Sequence, residues 1–301
     1  MSGPFFGSRW IEKPEHVTEL EPTALPREKL LAGVRSAVQQ LGDDADGFSR
    51  AILTSDRAPK RACLEVELPG GQVRLAAQAK GAGMISPRFA TMLCFVQTDA
   101  EMSAETVELL TGVTVKRSFD RITVDGQLST SDTVFVLAGG ASGVRIEPES
   151  AAELRFGEAL DALLRQLALL MVSDGEGAKR VGRIVVRGES EAVEPVARAI
   201  ANSNLVKTAL HGGDPNFGRI LQAAGMVYPP GNGFVADLEI EGRLVVSGGE
   251  AIVDDLRELE PLVQGQEVEY VLTLPGDGGE TEVFFSDLSP EYVHFNAEYT
   301  T

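Results

Sequence analysis

The spacing of apolar residues along the chain predicts a mixture of helices and strands. Residues 26–42 carry apolar side chains three to four positions apart and end on a glycine, which is typical of an amphipathic helix. The same spacing predicts helices over residues 149–172 and 191–201. Residues 64–75 alternate between apolar and polar positions around a Pro-Gly-Gly turn, which predicts a β-hairpin. The unbroken apolar run at residues 92–96 predicts a strand buried on both faces.

Shorter apolar runs predict more strands, at residues 184–186, 235–240, 244–246, 268–274 and 283–285. Because both hairpins and helices connect the strands, the predicted fold class is α/β, a layered sandwich of β-sheets covered by helices. A chain of 301 residues is long enough for one large domain or for two lobes. The sequence contains no internal repeat.

The acidic balance of charge limits the partners that the chain can have. With 27 lysines and arginines against 45 aspartates and glutamates, the formal net charge is −18 at pH 7. This charge would repel nucleic acids and anionic membranes, whereas a small cationic substrate would not be opposed. The simplest interpretation of the charge is a well-hydrated surface that keeps the protein soluble.

No targeting or membrane-spanning segment is predicted. The first ten residues lack the charged and apolar regions of a signal peptide, and the longest apolar stretch, residues 163–172, is interrupted by Arg165 and Gln166. These features predict a cytoplasmic protein. Cys63 and Cys94 lie in apolar, strand-like runs without metal-ligand or redox spacing. Both are therefore predicted to be reduced core residues, and no metal site is expected.

The segment at residues 80–95 carries the most specific candidate chemistry. It contains a Gly-Ala-Gly turn and then Ala90-Thr91, immediately before the predicted buried strand. A threonine hydroxyl can attack the preceding carbonyl carbon, and hydrolysis of the resulting ester frees the α-amine of the threonine. That amine, with an ordinary pKa near ~8, can then act as the base for the hydroxyl. The three histidines form no recognisable Ser/His/Asp arrangement, and Thr91 would need none.

Blocks of sequence in a fixed order resemble one known family. Residues 80–95 are similar to the self-cleavage signature of the ornithine acetyltransferase (glutamate N-acetyltransferase) family. Further blocks of the same family are matched at residues 119–133, 174–178, 201–221 and 296–301. The resemblance implies a two-lobed, layered fold of the N-terminal-nucleophile type, whose precursor breaks its own backbone between Ala90 and Thr91.

The resemblance also implies an activity. Cleavage would give an N-terminal fragment, residues 1–90, and a C-terminal fragment, residues 91–301, that begins with the nucleophile. The enzyme would move acetyl from N-acetylornithine to glutamate through an acetyl ester on Thr91, in arginine biosynthesis. No metal or organic cofactor is implied, because acyl transfer needs only a nucleophile, a base and oxyanion donors. An assembly of two cleaved protomers, with two α and two β chains, is implied as well.

Substrate contacts are assigned by the resemblance to four residues besides Thr91. Lys80 would contact the substrate and could pair with its carboxylate, and Glu176 would hold the side-chain amine of ornithine. Asn296 and Thr301 would bind the amino-acid backbone of the substrate. Each assignment has a simpler alternative, namely a solvated lysine in a turn, a common Asp-Gly-Glu-Gly loop and a frayed C-terminus.

Other parts of the sequence fit the family less closely. The family has a larger N-terminal region whose Thr-Gly pair supplies the oxyanion hole, whereas residues 1–24 diverge and Thr23 has no glycine beside it. Loss of one such donor costs ~100- to 1000-fold in turnover. Lys179 replaces a family threonine, and Asp120 replaces an asparagine. The glycine-dense residues 212–219 resemble no phosphate cradle and are interpreted as a structural loop in the wall of the site.

Two alternatives to the acetyltransferase therefore stay open. The first is a catalytically impaired or truncated homologue with a structural or interaction role. The second is an acyltransferase or hydrolase whose substrate has changed.

Overall fold

The computed structural model describes residues 26–42, 45–86, 92–129, 132–228 and 235–298, and the chain divides into two compact units, residues 1–45 and 46–301. Several predicted residues lie outside the described ranges: Thr23, Ala90, Thr91 and Thr301. The first unit contains helix α1 (Arg27–Gln39), which confirms the helix predicted there. None of the 13 residues of α1 is buried, so its apolar stripe is exposed within its own unit.

The second unit contains two β-sheets and the remaining helices. The helices are α2 (Asp46–Ala51), α3 (Ala104–Arg117), α4 (Ala151–Ser173), α5 (Ser190–Ala201), α6 (Asn204–Gly212), α7 (Phe217–Gly225) and α8 (Pro290–Glu298). The strands are β1 (Lys60–Leu68), β2 (Gly71–Lys80), β3 (Leu93–Thr98), β4 (Ile122–Thr123), β5 (Thr133–Ala138), β6 (Val181–Glu189), β7 (Asp237–Ile240), β8 (Arg243–Ser247), β9 (Glu250–Ala251), β10 (Glu267–Thr273) and β11 (Gly278–Ser286). No helix among the described residues is long and apolar enough to cross a membrane.

The smaller sheet has the strand order β1-β2-β3-β5. The predicted hairpin of β1 and β2 is antiparallel, with Leu64 opposite Leu75. Strand β3 lies between β2, to which it is antiparallel, and β5, to which it is parallel. The larger sheet has the order β4-β11-β6-β10-β7-β8-β9. This arrangement of two mixed sheets with helices on them confirms the predicted α/β class.

Helix α4 packs between the two sheets. Its N-terminus is capped by Ser150, whose Oγ accepts the N–H of Glu153 at 3.1 Å. Its apolar stripe, including Phe156, Leu160 and Leu167, is buried in a core shared with β1 and β2, and the helix also contacts β11. Complete burial of each such side chain contributes about 1.5–3 kcal/mol to folding. Helices α5, α6 and α7 cover the larger sheet around a second apolar core.

The prediction that both cysteines are buried in the core is confirmed for Cys94 and wrong for Cys63. Cys94 on β3 is fully buried, and burial raises the pKa of its thiol to about 12, so it is an inert core residue. Cys63 on β1 is exposed, which corrects the prediction. Strand β1 is an edge strand, and side chains alternate between its two faces. Cys63 points away from the face on which Ala62 packs against the core, so an apolar run did not imply burial there.

Candidate active site

A buried network of charged side chains holds the turn that follows β2. Gly81 donates its N–H to Oδ1 of Asp56 at 2.6 Å. Nζ of Lys60, which is 2% exposed, lies 2.6 Å from that oxygen and 2.6 Å from Oδ2 of Asp174. Burial alone would raise the pKa of Asp56, but the Gly81 N–H and the Lys60 ammonium outweigh burial and lower the pKa below its ordinary value. The network therefore joins the start of β1, the turn after β2 and the end of α4.

Glu176 is held against this turn by its backbone. Its N–H donates to the carbonyl oxygen of Ala82 at 2.8 Å. A Cβ at Gly83 would lie 2.5 Å from Oε1 of Glu176, so a side chain there would displace the carboxylate. Gly177 has φ +70°, and a Cβ there would lie 2.6 Å from the backbone nitrogen of Tyr292. Glycine at positions 83 and 177 thus lets the backbone there lie close to Glu176 and Tyr292.

Helix α8 brings a third predicted residue to the same place. Nδ2 of Asn296 donates to Oε2 of Glu176 at 2.9 Å and to the carbonyl oxygen of Tyr292 at 3.1 Å. The start of α8 is anchored because Ser289 Oγ accepts the N–H of Tyr292 at 3.1 Å. The amide therefore fixes the orientation of the glutamate carboxylate.

Asp125 contacts both the segment that follows β2 and helix α8. Its carboxylate accepts the N–H groups of Met84 at 2.8 Å and Ile85 at 3.2 Å. The hydroxyl of Tyr292 donates to Oδ2 of Asp125 at 3.2 Å. Burial, with the charges of Asp125 and Glu176, raises the pKa of Tyr292 above its ordinary value, so the phenol stays protonated as a donor.

These residues line one cavity of about 410 Å³. It brings together Lys80, Glu176 and Asn296, three of the residues that the family resemblance assigns to the substrate, along with Asp125 and Tyr292. Lys80 is only 6% exposed. A cavity of this size, with a cation, carboxylates, an amide and a phenol, suits a small zwitterionic molecule.

Strand register places a residue close after Thr91 next to Lys80, which lines the cavity. Leu93, two positions after Thr91, is paired with Lys80 on β2 and with Thr133 on β5. Asp132 accepts the N–H of Met92 at 2.7 Å through Oδ1. Burial raises the pKa of Asp132 to about 6, although the Met92 N–H and the Lys80 charge act to lower it. The half-buried carboxyl therefore changes charge near neutral pH.

Three residues of the site were missed by sequence reasoning. Asp125 and Asp132 lie inside the blocks that carry the resemblance, yet neither was given a role; an Asp-Gly turn at Asp125 was the available signal. Tyr292 carries no signal in the sequence, because only the fold turns α8 toward the cavity.

Other residues that the sequence analysis singled out do not line the cavity. Residues 212–219 are all described and none lines it; they form the end of α6, the turn at Gly213 with φ +62°, and the start of α7. The interpretation of this segment as a wall of the site is therefore not supported, whereas its structural role is. Lys179 and Asp120 do not line the cavity either. Among the described residues, no cluster of three His, Cys, Asp or Glu side chains could hold a metal.

The two-sheet fold and its charged cavity define an α/β protein with a site for a small molecule. The chain belongs to the ArgJ family, whose sequence profile matches residues 21–301. Among its relatives, the glutamate N-acetyltransferase of Methanocaldococcus jannaschii is 41% identical over 273 residues, which is 86% of this chain and 67% of the relative. The arginine biosynthesis bifunctional protein ArgJ of Nitratidesulfovibrio vulgaris is 44% identical over 259 residues, 84% of this chain and 64% of the relative.

A solved structure supports the same assignment. The crystal structure of the arginine biosynthesis bifunctional protein ArgJ from Bacillus halodurans superposes with a TM-score of 0.64 at 32% sequence identity. The match covers 98% of that crystal chain but 68% of the 301 residues here, or about 205 residues. The chain spans about two thirds of the length of the curated relatives that it matches.

Proposed function

We propose that this chain is a self-cleaving acetyltransferase that moves acetyl from N-acetylornithine to glutamate through an acetyl ester on Thr91. The names of the relatives support the reaction class. The observation that carries the proposal is the meeting of Lys80, Glu176 and Asn296 in one cavity beside the strand that follows Thr91.

The charges of the cavity fit a zwitterionic substrate. Lys80 supplies a cation for the carboxylate that N-acetylornithine and glutamate share. Glu176, oriented by Asn296, supplies an anion for the side-chain amine of the ornithine donor. A substrate held at both ends would present its acetyl group to a fixed nucleophile, which lowers the entropy cost of the transfer.

Nucleophilic catalysis then proceeds in two halves. The hydroxyl of Thr91 attacks the acetyl carbonyl and releases ornithine, and the amine of glutamate afterwards removes the acetyl group. The free α-amine of Thr91 accepts and returns the proton in each half. This order is ping-pong, and it requires the backbone to have been cut.

Cleavage into residues 1–90 and 91–301 belongs to the same proposal. Its support is the Ala90-Thr91 sequence, and the matched crystal chain is close in length to the 211 residues that begin at Thr91. We further propose that two cleaved protomers assemble and that Thr301 completes the substrate site. A cytoplasmic location agrees with a biosynthetic role.

A denaturing gel of the purified protein, with N-terminal sequencing, tests the proposal. The expected result is two fragments of 90 and 211 residues, the larger beginning at Thr91. Thr91→Ala should remain a single band, because no hydroxyl is present to attack the preceding carbonyl. A parent chain that stays intact after prolonged incubation contradicts self-cleavage.

A second candidate function is supported by one observation. The family profile begins at residue 21, and residues 1–24 offer no Thr-Gly pair for an oxyanion hole. A homologue without those donors would bind the amino acids and turn them over poorly. Calorimetry would then show N-acetylornithine binding in protein that transfers no acetyl group.

A further inference from the structure

Self-cleavage needs a base that the finished enzyme does not need. After cleavage, the α-amine of Thr91 can accept the proton of its own hydroxyl. Before cleavage that nitrogen is part of the Ala90–Thr91 amide, and an amide nitrogen has no lone pair available for a proton. Self-cleavage therefore requires another proton acceptor close to residue 91.

The histidines of the described chain do not supply it. Nδ1 of His211 lies 2.7 Å from Oδ2 of Asp287, and His294 on α8 lies 3.6 Å from Glu298. Neither histidine lines the cavity. The third, His16, lies outside the described residues.

Asp132 contacts Met92, the residue that follows Thr91. Its Oδ1 accepts the N–H of Met92 at 2.7 Å, and the nitrogen of Met92 is the atom bonded to the carbonyl carbon of residue 91. At the start of β3, Leu93 is paired with Lys80 on one side and with Thr133 on the other, so Asp132, which precedes Thr133, lies beside the start of β3. Oδ2 has no hydrogen-bond donor among the described residues and can take a proton.

Resting on the proposed self-cleavage, we propose that Asp132 is the acid–base residue of that step, acting before the α-amine of Thr91 exists. The carboxylate takes the proton of the Thr91 hydroxyl as its oxygen forms a bond to the carbonyl carbon of Ala90. The bond from that carbon to the Thr91 nitrogen then breaks, and the carboxyl returns the proton to the nitrogen, giving an amine and an ester. Water hydrolyses the ester, leaving a carboxylate on Ala90 and the hydroxyl on Thr91.

The surroundings of Asp132 suit the role of an acid–base residue. Lys80 on β2 is the charged side chain that acts on it, and β3 contributes the uncharged N–H of Met92. Burial outweighs both and raises the pKa of Asp132 to about 6. Such a carboxylate is a stronger base than an exposed one, yet it is still largely ionised at neutral pH.

The test is the cleavage rate of full-length protein, purified under conditions that slow cleavage and followed on gels between pH 5 and 8. Asp132→Asn keeps an acceptor for the Met92 N–H but cannot exchange a proton, so we expect cleavage at least ~100-fold slower than in the parent. Parent cleavage should rise with pH through about 6 and then level off. The rise should be absent from the residual cleavage of Asp132→Asn.

Further variants separate catalysis from anchoring. Asp132→Glu should restore part of the rate and the pH dependence, and Lys80→Met should shift the rise to higher pH because a cation that lowers the carboxyl pKa is gone. Acetyl transfer, divided by the cleaved fraction, should fall far less than cleavage in Asp132→Asn. The proposal is overturned if Asp132→Asn cleaves at the parental rate, which would leave Asp132 as a structural anchor. A parent that never cleaves would instead overturn the proposed function itself.

Discussion

The amide of Asn296 donates a hydrogen bond of 2.9 Å to the carboxylate of Glu176, which lies 120 positions earlier in the chain. Asn296 is on α8, and Glu176 follows α4. The hydrogen bond sets the direction in which an exposed amide and a partly buried carboxylate face the cavity. It predicts that the two residues act on the substrate as a pair.

Replacement of Asn296 by aspartate should replace this hydrogen bond with repulsion between two carboxylates. Two carboxylates so close cannot both stay ionised without cost, so the new carboxyl should push Glu176 from its position at high pH. At low pH the new carboxyl is protonated and can donate to Glu176 again. We therefore expect the kcat/KM of Asn296→Asp, relative to the parent, to be several-fold better at pH 6 than at pH 8.

Steady-state kinetics with N-acetylornithine at both pH values checks this expectation. His294→Ala, on the same helix and exposed, is the matched control and should follow the parent. A ratio that does not change with pH would mean that the amide does not orient Glu176.

Glu176→Gln should separate charged from neutral substrates. The side-chain amine of N-acetylornithine loses its counter-charge, and a hydrogen bond to a charged group contributes about 1.5–3 kcal/mol. The kcat/KM for N-acetylornithine should therefore fall by about 10- to 150-fold, whereas hydrolysis of a neutral acetyl ester should change little. Glu291→Gln, which removes the exposed partner of Lys179 on α8, should leave both rates as they are. Equal losses on both substrates would show that Glu176 has a structural role only.

Gly83→Ala should damage the site more than the fold. The added Cβ meets the far end of the flexible Glu176 side chain, which can swing away at small cost in stability. The expected result is a change in unfolding free energy below about 1 kcal/mol with a KM for N-acetylornithine raised at least several-fold. Gly177→Ala should instead damage the fold. It should lower the free energy of unfolding by about 1–3 kcal/mol, because residue 177 has a φ of +70° and an added Cβ would meet backbone atoms.

Gly112→Ala is the matched control for these two glycines. It lies on α3, and a Cβ there meets no atom within 4 Å. Chemical denaturation should show that this change stabilises the protein slightly, since alanine favours a helix. A KM unchanged in Gly83→Ala would mean that close approach to Glu176 is not needed for binding.

Lys60→Met tests the buried network that holds the turn after β2. Removal of the ammonium leaves the carboxylates of Asp56 and Asp174 without their shared partner, which costs about 3 kcal/mol or more. The exposed neighbour Arg61, in a surface ion pair with Asp46, is the matched control, and Arg61→Met should cost less than about 1 kcal/mol.

The pH dependence of this cost has a definite sign. The pKa of Asp56 is lowered in the folded parent, so its stabilising contribution is complete above the ordinary pKa near 3.8 and is lost as pH falls through the lower folded value. In Lys60→Met the carboxylate of Asp56 loses this counter-charge, so its burial favours protonation instead. The difference in unfolding free energy between parent and variant should therefore shrink between pH 7 and pH 4. A constant difference would assign the effect to packing alone.

The elements that were predicted correctly from the sequence are those in which apolar residues recur at a regular helix or strand spacing. The stripe of α4 and the β1–β2 hairpin were visible because each buries one face. Helix α3 was missed, since its β-branched valines and threonines favour strands; the Ser103 cap and packing against α4 hold it helical. Helix α8 was missed because none of its residues is buried and no apolar stripe marks it.

The candidate site was predictable in its members but not in its geometry. Lys80, Glu176 and Asn296 were identified from short blocks that resemble a family. Their convergence depends on contacts between distant elements, such as the Ala82 to Glu176 hydrogen bond, which no local pattern reports. Asp132 is the clearest example, because its contact with Met92 follows from the parallel pairing of β3 and β5.

The last prediction concerns the acetyl group itself and separates the two candidate functions. Incubation of the cleaved protein with N-acetylornithine should add one acetyl mass to the fragment that begins at Thr91, and glutamate should then remove it. If no group replaces the oxyanion donors of the family, the tetrahedral intermediate lacks about 3 to 4 kcal/mol of stabilisation per donor, and acetylation should be slow or undetectable.

Intact-mass spectrometry at short mixing times distinguishes these results. Glu176→Gln is the internal control, because it should gain the acetyl mass slowly from N-acetylornithine yet at the parental rate from a neutral acetyl ester. Cleaved protein that never gains the mass from either donor would contradict the acetyltransferase and favour an impaired homologue. Rapid gain followed by loss to glutamate would mean that oxyanion donors are supplied elsewhere in the chain, despite the divergence of residues 1–24 from the family.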